Sequence, residues 1–128
     1  MSKLIKGIHH IALKCASESE FERVETFYGV VLGLRVARRW EGGVMFDTGS
    51  GVIEVFNAGD TRLPQGVIRH FALATDDVDA CVRAVTEAGY EVFTEPRDVT
   101  IPSEPPLPIR MAFCHGPLGE EIEFFTEK

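Results

Sequence analysis

The feature that most restricts this chain is that it repeats itself. Ile8-His9-His10-Ile11-Ala12-Leu13 returns sixty positions later as Ile68-Arg69-His70-Phe71-Ala72-Leu73, with four of the six residues identical. The closing segments of the two halves also agree, Ile53-Glu54-Val55-Phe56 resembling Ile122-Glu123-Phe124-Phe125. Self-similarity on this scale marks duplicated supersecondary units. Each half therefore opens with a histidine on a strand-like run and closes with a glutamate on another. With 128 residues, one domain's worth of chain accommodates both copies.

The local pattern within each copy is the same. In the first module, 7–57, residues 7–15 alternate as a strand, and Ser17-Glu18-Ser19-Glu20 supplies a hydroxyl cap and first-turn acids. Phe21, Val24, Phe27, Tyr28 and Val31 then recur at helical spacing, predicting a helix over 18–31 that Gly33 closes. Strands follow over 34–40, 44–48 and 52–57, separated by Gly42-Gly43 and Gly49-Ser50-Gly51. Residues 58–66 read as a linker. The second module, 67–126, repeats the order: a strand over 67–75, a helix capped by Asp76-Asp77 and stopped by Gly89, and a strand over 90–94. Residues 95–108 carry five of the seven prolines and read as a long, semi-rigid loop before strands at 109–115 and 121–126. The expected class is α+β, two paired βαβββ modules forming a curved mixed sheet around a metal-binding cavity.

Strand alternation fixes which side chains share a face. His10 shares one with Ala12 and Lys14, and His70 with Ala72 and Ala74. Glu54 shares one with Phe56, and Glu123 with Glu121 and Phe125, while the large aliphatics fall on the opposite sides. Small neighbours around His and Glu are what a cavity requires. Two imidazoles and two carboxylates suit a borderline divalent ion such as Zn, Ni, Co or Fe, and room left for substrate makes such a centre catalytic. His9 falls on the other face and reads as structural; His115 has no counterpart in the first half and reads as a surface residue.

Composition narrows the rest. A net charge of −7 without a basic cluster argues against nucleic acid and anionic membranes as partners. No apolar run approaches a membrane span, and no signal-peptide core is present. Cys15, Cys81 and Cys114 are odd in number and widely spaced, which predicts small buried thiols in a reducing, cytoplasmic setting.

His10-Ile11-Ala12-Leu13, Phe27-Tyr28 through Leu32-Gly33-Leu34, His70-Phe71-Ala72-Leu73 and Gly116-Pro117-Leu118-Gly119-Glu120-Glu121-Ile122-Glu123-Phe124 together resemble the vicinal oxygen chelate superfamily. That superfamily includes glyoxalase I, methylmalonyl-CoA epimerase, fosfomycin-resistance proteins, extradiol dioxygenases and bleomycin-resistance proteins. The resemblance implies metal ligands at His10, Glu54, His70 and Glu123, holding one divalent ion (Zn, Ni, Co, Mn or Fe). This ligand set is most similar to that of glyoxalase I, which implies a lyase or isomerase moving a proton through a metal-stabilised enediolate. Glu123 is the first choice of base and Glu54 the second. A glutathione or CoA substrate needs cations nearby: Lys14 is on the metal face, Arg38, Arg39, Arg97 and Arg110 are further candidates, and Phe56 would line the pocket. The alternatives are an epimerase, a dioxygenase, a fosfomycin-modifying enzyme, or a metal-free antibiotic-binding protein. A homodimer is expected.

Overall fold

The computed structural model describes residues 8–57, 66 and 68–128. Of the expected linker only Gly66 is among them, and Gly7 and Val67, the expected first residues of the modules, lie outside them. The chain divides into two compact units, Met1–Leu63 and Pro64–Lys128.

The first unit comprises β1 (His10–Lys14), α1 (Glu18–Glu25), β2 (Arg35–Trp40), β3 (Gly43–Asp47) and β4 (Val52–Phe56). Ser17 caps α1, its hydroxyl accepting from the Glu20 amide at 3.1 Å, while Glu20 folds back to accept from the Ala16 amide at 2.7 Å. This reciprocal cap explains why an acidic residue is buried there. The predicted helix over 18–31 changes gauge: Thr26–Val31 is π-helical, with the Leu32 amide donating to the Phe27 carbonyl. The wider turn still ends at Gly33, whose φ of 71° is left-handed. The sheet runs β1-β4-β3-β2, with β1 parallel to β4 and the other pairs antiparallel. Val44, Phe46, Ile53 and Val55 are buried, as are Val24, Phe27 and Tyr28 of the helical segment, and the Tyr28 ring lies 5.8 Å from that of Phe46.

The second unit repeats the plan with β5 (Phe71–Ala74), α2 (Val78–Glu87), β6 (Val92–Ile101), β7 (Leu107–His115) and β8 (Glu121–Glu127), in the order β5-β8-β7-β6. Asp77 caps α2 through the Ala80 amide at 3.0 Å. Gly89, at φ 91°, ends it as a Schellman turn, with Tyr90 N–H donating to the Val85 carbonyl and Gly89 N–H to that of Thr86. Val78, Val82 and Val85 are buried along with Ala112, Cys114, Ile122 and Phe124.

The expected loop over 95–108 is a correction. The ladder between β6 and β7 continues to Ile101↔Leu107, leaving only residues 102–106 at the tip. Pro96 is accommodated because β6 is an edge strand and the register shifts between Thr94 and Arg97, where no ladder donor is needed. Pro108 lacks a donor, but its carbonyl still accepts from the Lys128 amide.

Candidate active site

Each unit presents one His–Glu pair, built the same way. In the first, β1 and β4 run side by side with Ala12 beside Glu54 and His10 beside Val52, so both functional side chains rise from one face. In the second, Ala72 lies beside Glu123 and His70 stands just before β5. His10 Nε2 is 3.4 Å from Glu54 Oε1, and His70 Nε2 is 3.3 Å from Glu123 Oε1. The exposures agree as well, at 41% and 11% for the first pair and 42% and 11% for the second. Burial raises the Glu123 carboxyl above its ordinary value, against the opposing pull of His70.

The spacing is informative. A charge-assisted hydrogen bond between nitrogen and carboxylate closes to about 2.8 Å. Two donor atoms on a tetrahedral ion, each about 2.05 Å from it, stand about 3.3 Å apart. Both pairs have the second separation, so the residues present fit a divalent ion as two of its ligands. Among the described residues, no three or more His, Cys, Asp or Glu side chains are gathered closely enough to hold an ion. Each unit by itself presents one histidine and one glutamate.

Neighbouring side chains touch both histidines. His9 Nδ1 lies 3.0 Å from His10 Nδ1, leaving His10 Nε2 toward Glu54. On the second unit, the His70 ring stands edge-on to Phe113 at 5.1 Å.

The other site residues divide by face. Lys14 lies beside Phe56 in the β1–β4 register and so shares the His10–Glu54 face, with no ion pair to any described residue. Phe56 is half-exposed, and Trp40 stands edge-on to it at 6.2 Å, the two rings framing that face. Trp40 lies across Gly43, where any Cβ would collide with the indole and the Val55 carbonyl. Arg110 is a correction. It pairs with Thr126, on the face of Phe124 and Ile122, and its guanidinium reaches Asp79 of α2 at 2.8 and 2.9 Å and Asp98 at 3.1 Å. It is committed to that network on the side away from Glu123. Hydrogen bonds from Arg110 to Asp79, and from Lys128 and Arg110 to Asp98, hold both carboxyls below their usual range. Arg39 is likewise bound to Glu25 of α1. Arg38 and Arg97 remain exposed.

His115 was not distinguished by sequence reasoning. Its Nδ1 is 2.7 Å from Glu91 Oε1 and its ring stacks on Phe93 at 4.4 Å. Its signal lay in hairpin symmetry: since Phe113 faces Glu123, His115 faces Glu121 on the same side. The turn between them is tight, for Gly116 gives way to the Glu120 carboxylate, which would lie 2.5 to 2.7 Å from a Cβ there. The three cysteines form no disulfide; Cys15 and Cys114 are buried, and burial pushes Cys114 up to about 12.

A duplicated βαβββ unit with one His–Glu pair on each sheet defines an α+β protein of the paired-module class. Comparison with known proteins makes this specific: the family profile of the Glyoxalase/Bleomycin resistance protein/Dioxygenase superfamily matches residues 7–103. The uncharacterized protein YwkD of Bacillus subtilis (strain 168) is 32% identical over 136 residues, covering 97% of this chain and 99% of its own. A structure attributed to a glyoxalase family protein of Bacillus anthracis superposes with a TM-score of 0.73 at 22% identity over 100% of both chains. The glyoxalase family protein of Enterococcus faecalis gives 0.74 at 20% identity, covering 97% of this chain and 100% of that one. The chain belongs to the Glyoxalase/Bleomycin resistance protein/Dioxygenase superfamily. No helix among the described residues is long and apolar enough to cross a membrane.

Proposed function

We propose that this chain is a cytoplasmic, divalent-metal-dependent lyase or isomerase of the glyoxalase I type, acting on a small 2-oxo or thiol-adduct substrate. The observation that carries the reading is the duplicated His–Glu pair, with nitrogen–oxygen separations of 3.4 and 3.3 Å. His10, Glu54, His70 and Glu123 would hold the ion, the two half-sites coming together within one chain or between the two chains of a homodimer. A bound divalent ion supplies Lewis-acid stabilisation of negative charge on substrate oxygens. Glu123 takes the proton from one carbon and returns it to the next, and Glu54 is the second candidate for that role. Lys14 attracts an anionic substrate group such as a glutathione or CoA moiety, and Phe56 packs against its apolar part.

Elemental analysis of the purified protein tests this first. About one divalent ion per pair of half-sites is expected, with turnover found in a panel of the methylglyoxal–glutathione hemithioacetal, methylmalonyl-CoA and fosfomycin. Failure to take up added Zn, Ni, Co or Mn would sink the lyase reading and leave a metal-free binding protein. Light scattering tests the dimer, which is abandoned if the mass is near 14.2 kDa.

A further inference from the structure

The two His–Glu pairs match in spacing and exposure, but the residue before each histidine differs: His9 precedes His10, and Arg69 precedes His70. His9 Nδ1 lies 3.0 Å from His10 Nδ1, with the rings at 88° and their centroids 5.2 Å apart, so they meet at nitrogen and do not stack. His9 is exposed, so packing does not require its ring to turn back upon its neighbour. Arg69 makes no comparable contact. Its guanidinium is directed to Glu121 at 3.9 Å, and among the described residues His70 Nδ1 has no hydrogen-bond partner.

A hydrogen bond between two imidazole nitrogens needs one proton and one lone pair, which leaves two polarities. If His9 donates, the His10 proton sits on Nε2 and points at Glu54, where a charge-assisted bond would close to about 2.8 Å. The Nε2–Oε1 separation is 3.4 Å. If His10 donates, its Nε2 carries only a lone pair, which stands off from the carboxylate at the separation that two ligands of one ion keep. The second polarity accounts for both distances. An imidazole that ligates through Nε2 has its other ring N–H held by an acceptor, commonly a carboxylate, a carbonyl or a water. His9 Nδ1 fills that place, its own proton being on Nε2.

We propose that His9 is a positioning residue for the metal site: it accepts from His10 Nδ1–H, thereby fixes the His10 tautomer, and keeps the Nε2 lone pair turned toward Glu54. This rests on His10 and Glu54 holding the divalent ion of the proposed function. It also makes the two histidines unequal, because His10 is held by an acceptor that the Arg69 position does not give His70.

Two measurements on the full-length protein test this. Proton–nitrogen NMR of the histidine-labelled, metal-free protein, above about pH 8.5 where an ordinary imidazole is neutral, reads which ring nitrogen carries each proton. His10 is expected to be protonated at Nδ1 and His9 at Nε2, and His9→Ala releases His10 to the tautomer mixture of an unconstrained imidazole. Competition for Zn against a chromophoric chelator then reads affinity. It falls about tenfold or more in His9→Ala, the loss common on removing a residue that supports a metal ligand. His9→Asn, whose amide oxygen takes the place of Nδ1, restores the tautomer and most of the affinity, which a merely structural role would not do. Arg69→Ala stays at the wild-type level, and circular dichroism is unchanged throughout. A His10 proton on Nε2 in the metal-free wild type, or a loss in Arg69→Ala equal to that in His9→Ala, overturns the proposal. If the wild type takes up no Zn, the metal reading fails, while the tautomers still report whether His9 sets His10. Zn uptake with unchanged affinity in His9→Ala removes the positioning role alone.

Discussion

Replacing each glutamate in turn by glutamine separates holding an ion from moving a proton. Glu54→Gln and Glu123→Gln preserve side-chain volume and remove one anionic ligand apiece. The two carboxylates stand at nearly equal distances from their histidines and are equally covered, at 11% exposure each. If all four residues hold one ion, the two substitutions remove equivalent contacts. Removing residues that merely support a ligand commonly costs ten- to a hundredfold in affinity, so loss of a ligand is expected to cost at least about tenfold, or 1.4 kcal/mol. By symmetry the two losses agree within about threefold. Turnover breaks the symmetry. At saturating metal, Glu54→Gln recovers most of its rate, whereas Glu123→Gln stays about a hundred- to ten-thousandfold down because the proton acceptor is gone. Competition against a chromophoric chelator reads the affinity, and hemithioacetal turnover at saturating metal reads the rate. If one variant loses the ion while the other keeps wild-type affinity, the shared-site reasoning is wrong; if both are equally dead at saturating metal, Glu123 is not the distinguished base.

Two further perturbations address the scaffold. Arg110→Met removes the partner that depresses Asp79 and the lesser of the two that depress Asp98, where Lys128 remains. Such carboxyls contribute stability above their unfolded value and lose it as pH falls through the lower folded one. The urea-midpoint gap from wild type should therefore be full near neutrality and close below the ordinary aspartate value of 3.8. Metal uptake stays at the wild-type level, and a loss of uptake would return Arg110 to the site. Gly43→Ala drives a methyl group into the Val55 carbonyl and the ring of Trp40, the chain's one tryptophan. It is expected to cost about 1–3 kcal/mol and to shift the tryptophan emission, and an unchanged spectrum would show that the indole does not rest on Gly43.

Much of this arrangement was legible because strand alternation is strict. Once His10 and Glu54 were placed on strands, period two determined their faces, and the glycines at 33 and 89 marked where helices had to stop. What was hidden depends on departures from regularity. Pro96 reads as a loop residue until the register shift in β6 gives it a position without a ladder partner. The π-helical turn after Glu25 keeps the apolar spacing of an ordinary helix closely enough to pass for one. Arg110 was misjudged, and the contacts of the surface residue His115 were overlooked, for a shared reason. Their faces follow from pairing across the final hairpin, which requires knowing that the turn sets His115 opposite Glu121.

One feature of the sheets bears on how an ion would come and go. Glu54 and Glu123 sit on β4 and β8, each flanked by a strand on both sides, whereas His10 is on edge strand β1 and His70 just precedes edge strand β5. A carboxylate on an interior strand keeps its place when the margin frays; an imidazole at the margin moves with it. In the proposed ion site the glutamates would therefore be the fixed jaw of each His–Glu pair and the histidines the movable one. Release is expected to begin at nitrogen and loading to end there, with faster hydrogen exchange in β1 and β5 than in β4 and β8 as its signature. Equal protection across those four strands would rule this order out.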